Sequence, residues 1–469
     1  MIKNFIEGKR KVKDYLKYVK EILKLALPAV GEMILYMLVW VFDTMMVGHY
    51  GGKYSVAAVG FSSEIMYTVM NTLIGMGLSV SMTSIIARGL GAKDEKKTLK
   101  FANQGFNIGF VIALTVSSTY FIFAKNILNF LGAEKEIIGM ASSYIRICSV
   151  GMFFTMLGNL FSGMFRGCKD TRTPLYGAMI VNCVNLVLDY LLIFGKFGLP
   201  ELGVKGAALA TSTAGISCFI FLFFRLKKLP IKLKFFSKID KNIIKEILRF
   251  SIPASLQEGS FSIGKLMGVV IVMSLGSLAF SANQISVTIE SISFMPGWGF
   301  SLACTALTGY CVGDGDFVKA KKYINTTAIL SGIIMGTFGI IFFFFSKDII
   351  KLFIKKDEIE VIKLGAICLQ IGCFQQIGTS LGMTFSGAFK GMGDSKTPFK
   401  VSFVCNWLIR LPLMYYFLYL NKKPITYFWW ITVLQWNLEA ITLFICYKFK
   451  IKNLIKMRER CKNNMCEGE

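Results

Sequence analysis

Histidine is all but absent from this chain: His49 is the single one, and no GxxxxGK[ST] stretch occurs. That removes histidine-based catalysis and a histidine metal cage, and leaves no phosphate-binding loop with which the chain could hold ATP. Twelve cysteines are scattered with no CxxC pair and no metal spacing, so small buried thiols account for them. No strand-like alternation of apolar and polar residues competes with the long apolar runs, which sets an outer-membrane barrel aside. Acids are outnumbered, 28 Asp and Glu against 53 Lys and Arg, for a net charge of +25. An enzyme would need a nucleophile, a metal set or a phosphate cradle, and none is evident; no catalytic residues are expected.

What the chain does have is apolar length. Mean hydropathy is +0.56, and 54% of residues are hydrophobic, far above a soluble average. Roughly twelve segments reach the length of about 20 residues that spans a bilayer. They lie near 21–48, 54–86, 101–124, 137–165, 175–195, 203–225, 244–275, 279–310, 320–345, 361–388, 399–420 and 425–447. The first is too long and too acid-bearing for a signal-peptide core, so the N-terminus is expected to be retained. Lys and Arg crowd the first 24 residues, the 225–249 connector, the loops near 88–100, 166–172, 319–322 and 390–400, and the tail. The alternate loops near 49–53, 196–205 and 276–279 carry few. This is the positive-inside pattern, with both termini cytoplasmic, and it argues against nucleic acid as the reason for the charge. One connector, 347–363, breaks the rule: it should be external yet holds five lysines, balanced by four acids.

The chain is also duplicated. Pro28 returns as Pro253, Gly75 and Gly77 as Gly297 and Gly299, Gly91 as Gly313, Pro174 as Pro398 and Asn182 as Asn406, all about 222 to 225 residues apart. Two lobes are expected, residues 1–226 and 244–469, joined by a basic connector at 227–243 that suits a hinge and equally a topogenic charge block. Six helices per lobe give both lobes the same orientation, the parallel repeat found in carriers that move two halves about a central site. The glycine runs GMGLSVS and GWGFSLA read as places where helices approach closely, with local unwinding as the alternative. Asp170 and Asp394 read as caps of cytoplasmic turns, with Pro174 and Pro398 starting the next helix.

The informative residues are acids inside apolar segments, each of which costs about 2.5–3.5 kcal/mol at a helix centre. Asp43 lies 15 residues after Pro28, and Asp189 lies 15 after Pro174. At about 1.5 Å per residue both carboxylates stand at matching depth. Thr211, eight residues past Gly203 on a helix running inward, nearly reaches that level, and Asn185 shares the Asp189 face one turn earlier. Asp43, Asn185, Asp189 and Thr211 can therefore converge on one polar pocket. Two neighbouring carboxylates in low dielectric either share a proton or hold a cation, which makes a coupling-ion site; a structural hydrogen-bonded network is the alternative. The second lobe does not copy this site, since Leu413 stands where a partner for Asp189 would be. It has Glu258, Lys265, Glu290 and Arg410 instead. Lys265 and Glu290 come to similar depth and could pair, for structure or as part of a substrate cavity. Glu258 lies shallower, facing the cytoplasmic opening, and Glu64 could join the first-lobe acids.

The ordered set LPAV…VFDTMMVG, IIARGLGAKD, FRGCKDTRTP, NLVLDYLLIFG…GVKGAALAT, SANQIS, FMPGWGFSLA and FKGMGDSKTP resembles the multidrug and toxic compound extrusion (MATE) transporters of prokaryotes across nearly the whole chain. The resemblance implies an all-α integral membrane protein of twelve helices, in two lobes related by a pseudo-two-fold axis and forming a V. It implies a secondary active exporter that exchanges lipophilic, often cationic drugs for H⁺ or Na⁺, with no other cofactor and no other metal. In the branch with a first-lobe acidic site, the helix-1 aspartate matches Asp43, the helix-5 Asn-x-x-x-Asp matches Asn185 and Asp189, and the helix-6 Ala-Thr matches Thr211. The other branch uses helix-7 and helix-10 carboxylates. Here Glu258 is about a turn from the helix-7 position, and 361–388 offers Gln370, Gln375 and Gln376 but no acid. Arg410 in NWLIRLP resembles a recurrent helix-11 feature. A multi-pass protein of the cytoplasmic membrane, working as a monomer on small organic cations, is the expectation. The alternative is a flippase of the same superfamily for a lipid-linked saccharide or other lipid, which should line its cavity with cations.

Overall fold

In the computed structural model the backbone is described over residues 2–354 and 358–466, and side chains over 15–52, 54–354 and 358–460. Three charges of the irregular connector, Lys355, Lys356 and Asp357, lie outside those residues, as do the first fourteen side chains and the tail cysteines Cys461 and Cys466. The described residues form twelve long helices. Eleven are long and apolar enough to cross a membrane: α1 Tyr15–Gly52, α2 Tyr54–Gly91, α3 Glu95–Phe130, α4 Lys135–Gly167, α5 Arg172–Ile193, α6 Val204–Lys228, α7 Lys241–Met273, α9 Phe317–Lys351, α10 Ile359–Gly391, α11 Lys396–Leu420 and α12 Thr426–Arg460. The twelfth is α8, Ser277–Gly313, where Asn283, Gln284, Glu290 and several serines dilute the apolar run. Each coincides with one apolar segment of the sequence to within a few residues, apart from polar extensions at the ends.

The duplication is visible in the hydrogen bonds. Thr83 Oγ1 bonds Ser79 O at 3.0 Å and Gly163 O at 2.8 Å; Thr305 Oγ1 bonds Ser301 O and Gly387 O, each at 2.9 Å. Asp170 accepts from Thr173 N at 3.0 Å, and Asp394 from Thr397 N at 3.0 Å, the caps expected of both turns. Asp94 and Asp316 cap α3 and α9 in the same way, accepting from Lys97 N at 2.9 Å and Lys319 N at 3.0 Å. Even the irregularities repeat: Gly52 (φ 62) turns α1 into α2, and Gly276 (φ 97) precedes α8. Phe123 (φ −101, ψ 15) and Phe345 (φ −109, ψ 15) interrupt α3 and α9.

Two compact units emerge. The first comprises Gly31–Leu90 and Asp94–Glu258; the second comprises Met1–Val30, Gly91–Lys93 and Gly259–Glu469. The division falls inside α1 just after Pro28 and inside α7 just after Pro253, prolines that lie within their helices and each remove one backbone donor. In the second unit, Ile22, Leu25 and Ala26 of α1 pack with Phe300, Ala303 and Leu307 of α8. In the first, Ile247 and Phe250 of α7 join the core built by α2, α3, α4 and α6. A glycine makes each crossing close. A Cβ on Gly299 would stand 2.6 Å from Val30 N, and one on Gly77 2.0 Å from Ser255 Oγ. Since lipid supplies no hydrophobic drive between helices, such close backbone packing carries the association.

Helix α2 also adopts the local unwinding that its glycines allow: Asn71–Ser79 is a π-helical stretch. Helix α11 has two such stretches, Val404–Arg410 and Tyr415–Leu420, on either side of Pro412, whose missing N–H disturbs the ladder. The basic connector is not a free hinge. Lys234 N donates to Asn103 Oδ1 at 2.8 Å, Gln104 Nε2 to Lys238 O at 2.6 Å and Asn107 Nδ2 to Ser237 O at 2.9 Å. Phe235 and Phe236 pack edge-on against Phe106, with ring centroids 4.8 and 5.7 Å away. The segment is thereby fastened along α3.

Candidate functional site

In the first unit, helices α4 and α6 meet through small residues: a Cβ on Gly151 would stand 2.4 Å from Ser212 Cα, and Ser212 Oγ bonds Ile147 O at 3.1 Å. That contact fixes the neighbouring Thr211, whose hydroxyl donates to Asp43 Oδ2 at 3.3 Å, with Ala207 O as an alternative acceptor at 3.0 Å. Helix α6 begins right after Gly203 (φ 55), where a side chain would run into the Tyr50 ring. The start of α6 is thereby set against the end of α1.

Asp43 of α1 lies beside Asn185 and Asp189 of α5, so the four residues expected to converge do so. Asp43 is 6% exposed and Asp189 0%, and Tyr144 and Cys148 of α4 close the same neighbourhood. Tyr144 itself is held by Ser63 at 3.1 Å. Asp43 Oδ1, Asn185 Nδ2 and both Asp189 carboxylate oxygens are buried and find no partner outside the cluster they form with one another. Two buried carboxylates facing each other, with no basic side chain among the described residues acting on them, are costly as they stand. A proton, or a hard cation that prefers oxygen ligands, would satisfy them. The donors are carboxylate, amide and hydroxyl groups, a set suited to H⁺ or Na⁺ and unsuited to soft metals.

The remaining candidates fall elsewhere. Glu64 is exposed and stands beside Tyr67, one turn along α2, rather than with Asp43. Glu258 is half-buried in the first unit, accepting from Asn71 Nδ2 at 3.2 Å. In the second unit Glu290 and Arg410 are buried, at 7% and 6% exposure, and interact electrostatically. The expected Lys265–Glu290 ion pair is not formed. Lys265 is exposed and acts on Glu290 less than Arg410 does, while the Gln375 amide donates to Glu290. Arg410 Nη1 donates to Asn406 Oδ1 at 3.2 Å, and its guanidinium lies 5.8 Å from the Phe428 ring centre.

Two buried charge centres escaped the sequence reading. Arg166 counts there as a loop residue, but it ends α4 and grips Glu32 of α1 through both carboxylate oxygens at 2.9 and 3.1 Å, with Ser79 Oγ at 3.0 Å. Glu439 of α12 is 4% exposed, with Gln435 Nε2 donating to it at 2.7 Å. Both acids carried the same signal as Asp43, an acid inside an apolar run. Arg166 was hidden by its place next to a turn.

One family model, MatE, matches the chain twice, over residues 28–191 and 253–416. The chain is 34% identical over 404 residues to the probable multidrug resistance protein NorM of Thermotoga maritima, covering 84% of this chain and 85% of that protein. It is 25% identical over 416 residues to the multidrug resistance protein MdtK of Proteus mirabilis, covering 86% and 88%. Among solved structures, the outward-facing conformation of a multidrug resistance MATE family transporter of the MOP superfamily superposes with a TM-score of 0.84. It does so at 23% identity, over 93% of this chain and 96% of that one.

Proposed function

This chain belongs to the MatE family of multi-pass membrane transporters, and on that premise we propose that it exports lipophilic, often cationic drugs from the cell in exchange for H⁺ or Na⁺. The observation that carries the coupling site is the pair of buried carboxyls of Asp43 and Asp189, which face each other with no counter-charge among the described residues. Asp43 and Asp189 bind the ion, Thr211 orients the Asp43 carboxyl by its hydroxyl, and Asn185 supplies an amide between the two acids. With the ion bound the buried charge is neutralised. Without it, two carboxylates repel across a low-dielectric site, so loaded and unloaded site favour different arrangements of α1 against α5 and α6. An ion drives export only to the extent that it binds the two conformations with different affinity. The names of the relatives from Thermotoga maritima and Proteus mirabilis support drugs as cargo. The charge asymmetry of the loops supports cytoplasmic termini in the cytoplasmic membrane, and a monomer suffices because the site is complete within one unit.

The flippase alternative calls for cations around the cargo's phosphates. Asp43 and Asp189, on which no basic side chain among the described residues acts, favour the export of cations instead. The test is ethidium efflux from vesicles with the Na⁺ and pH gradients imposed independently. One gradient alone should drive efflux, and Asp43→Asn should reduce it to the rate of vesicles lacking the protein. Full gradient-driven efflux by Asp43→Asn would overturn the site.

A further inference from the structure

We propose that Glu290 is a proton-binding residue of the second unit, its charge state set by competition with Glu439 for the single guanidinium of Arg410. Glu290 on α8, Arg410 on α11 and Glu439 on α12 are each more than nine-tenths buried, and Arg410 acts on both carboxyls. Neither carboxyl forms a salt bridge with it among the described residues, where the ion pairs are Arg166–Glu32, Lys351–Asp348, Lys450–Asp394 and Arg458–Asp316. One guanidinium set back from two carboxyls can neutralise one of them.

The other charged groups around the cluster divide unevenly. Lys390 of α10 acts on Glu439, which accepts from Gln435 at 2.7 Å and lies near Ser402. Arg410 acts on Glu290 more than on Glu439, but beyond that shared arginine the one cation acting on Glu290 among the described residues is exposed Lys265. Glu439 is therefore the better supported anion, and Glu290 is the carboxyl left to take a proton. The glutamines make both charge states tolerable. Gln375 donates its amide to Glu290, and its carbonyl Oε1 is buried with no partner. An amide serves an ionised carboxylate through N–H and, after a flip, a protonated carboxyl through its oxygen. Gln375 can follow Glu290 through protonation without leaving a hydrogen bond unmade on that carboxyl. Arg410 closes the π-helical stretch ahead of Pro412, an arrangement α5 lacks, so the first unit cannot duplicate this cluster.

The proposal stands apart from the ion site of the first unit, and its test is run without that site. Full-length protein carrying Asp43→Asn and Asp189→Asn is placed in lipid nanodiscs, and the C=O stretch of protonated carboxyl groups is followed by infrared difference spectroscopy across pH. Glu290→Gln should remove part of that band. Arg410→Gln, which withdraws the counter-charge, should let the Glu290 component survive to more alkaline pH by about 1 pH unit or more. Glu439→Gln, which leaves the guanidinium to Glu290 alone, should make it vanish at lower pH. The two opposite shifts keep the proposal testable if Glu290→Gln folds poorly, because a merely structural role would not move the band in two directions. An unchanged band in Glu290→Gln, or shifts of the same sign or of zero in the other two, would overturn it.

Discussion

Thr211 contributes one hydroxyl to Asp43 at 3.3 Å, and such a bond adds about 1 kcal/mol net. Thr211→Ala should therefore weaken the coupling ion by about fivefold, read as the ion concentration giving half-maximal efflux, with maximal efflux preserved. Thr211→Ser should restore it, because the hydroxyl is what counts. The Glu32–Arg166 pair makes a different case. Arg166 Nη1 donates to both Glu32 oxygens and the pair is buried, so removing one partner strands the other charge, at about 3–5 kcal/mol. Arg166→Met should lower the melting temperature of the purified protein far more than any ion-site variant. Arg166→Lys should recover only part, since an ammonium on Glu32 leaves Ser79 Oγ without the donor that Nη2 supplies at 3.0 Å. The double variant Glu32→Gln/Arg166→Met should be less damaged than Arg166→Met alone, because no buried charge then lacks a counter-charge.

At the level of elements, the two crossing glycines are not equivalent. A methyl on Gly299 meets the Val30 backbone at 2.6 and 2.7 Å, which cannot rotate away, whereas one on Gly77 meets the rotatable Ser255 hydroxyl and reaches backbone only at the Thr72 carbonyl, 2.9 Å off. Gly299→Ala should cost the larger share of the about 1–3 kcal/mol typical of overpacking, so its melting temperature should fall below that of Gly77→Ala. The turn between α10 and α11 adds a pH dependence. Burial works to raise the Asp394 carboxyl, but the bonds from Lys450 and Thr397 outweigh it and hold it below its ordinary value of 3.8. A carboxyl held low in the folded state stabilises the fold above its unfolded value and loses that contribution as pH falls through the folded one. Asp394→Asn should thus lower the melting temperature at neutral pH, and the gap to the parent protein should close as the medium is acidified below pH 3.8.

For the molecule as a whole, twelve helices in a duplicated chain were legible because lipid imposes its own arithmetic on sequence. A segment must be apolar and about 20 residues long, and every backbone group must be satisfied within it. The convergence of Asp43, Asn185, Asp189 and Thr211 was legible for a related reason: depth along a straight helix is a count of residues, and prolines marked a common starting level. What depth could not supply was rotation. Lys265 and Glu290 reach similar levels, yet Lys265 faces outward while Arg410 and Gln375 take the place beside Glu290. The direction of α11 near Arg410 follows from π-turns around Pro412 that no regular period predicts. The connector likewise read as a hinge from its charge, while its hydrogen bonds to α3 depend on partners more than 120 residues away in the chain.

By itself, then, the sequence determined the class, the number and approximate places of the helices, the duplication, and the convergence of Asp43, Asn185, Asp189 and Thr211, all of which rest on hydropathy, spacing and chain distance. Only the tertiary structure decided that the first part of α1 packs in the second unit and that of α7 in the first, that Arg166 is a buried partner of Glu32, and that Glu290 shares one arginine with Glu439. These depend on which faces of distant helices meet. A face is chosen by packing of small residues and by the satisfaction of buried charge across the fold, not by the pattern along any one helix.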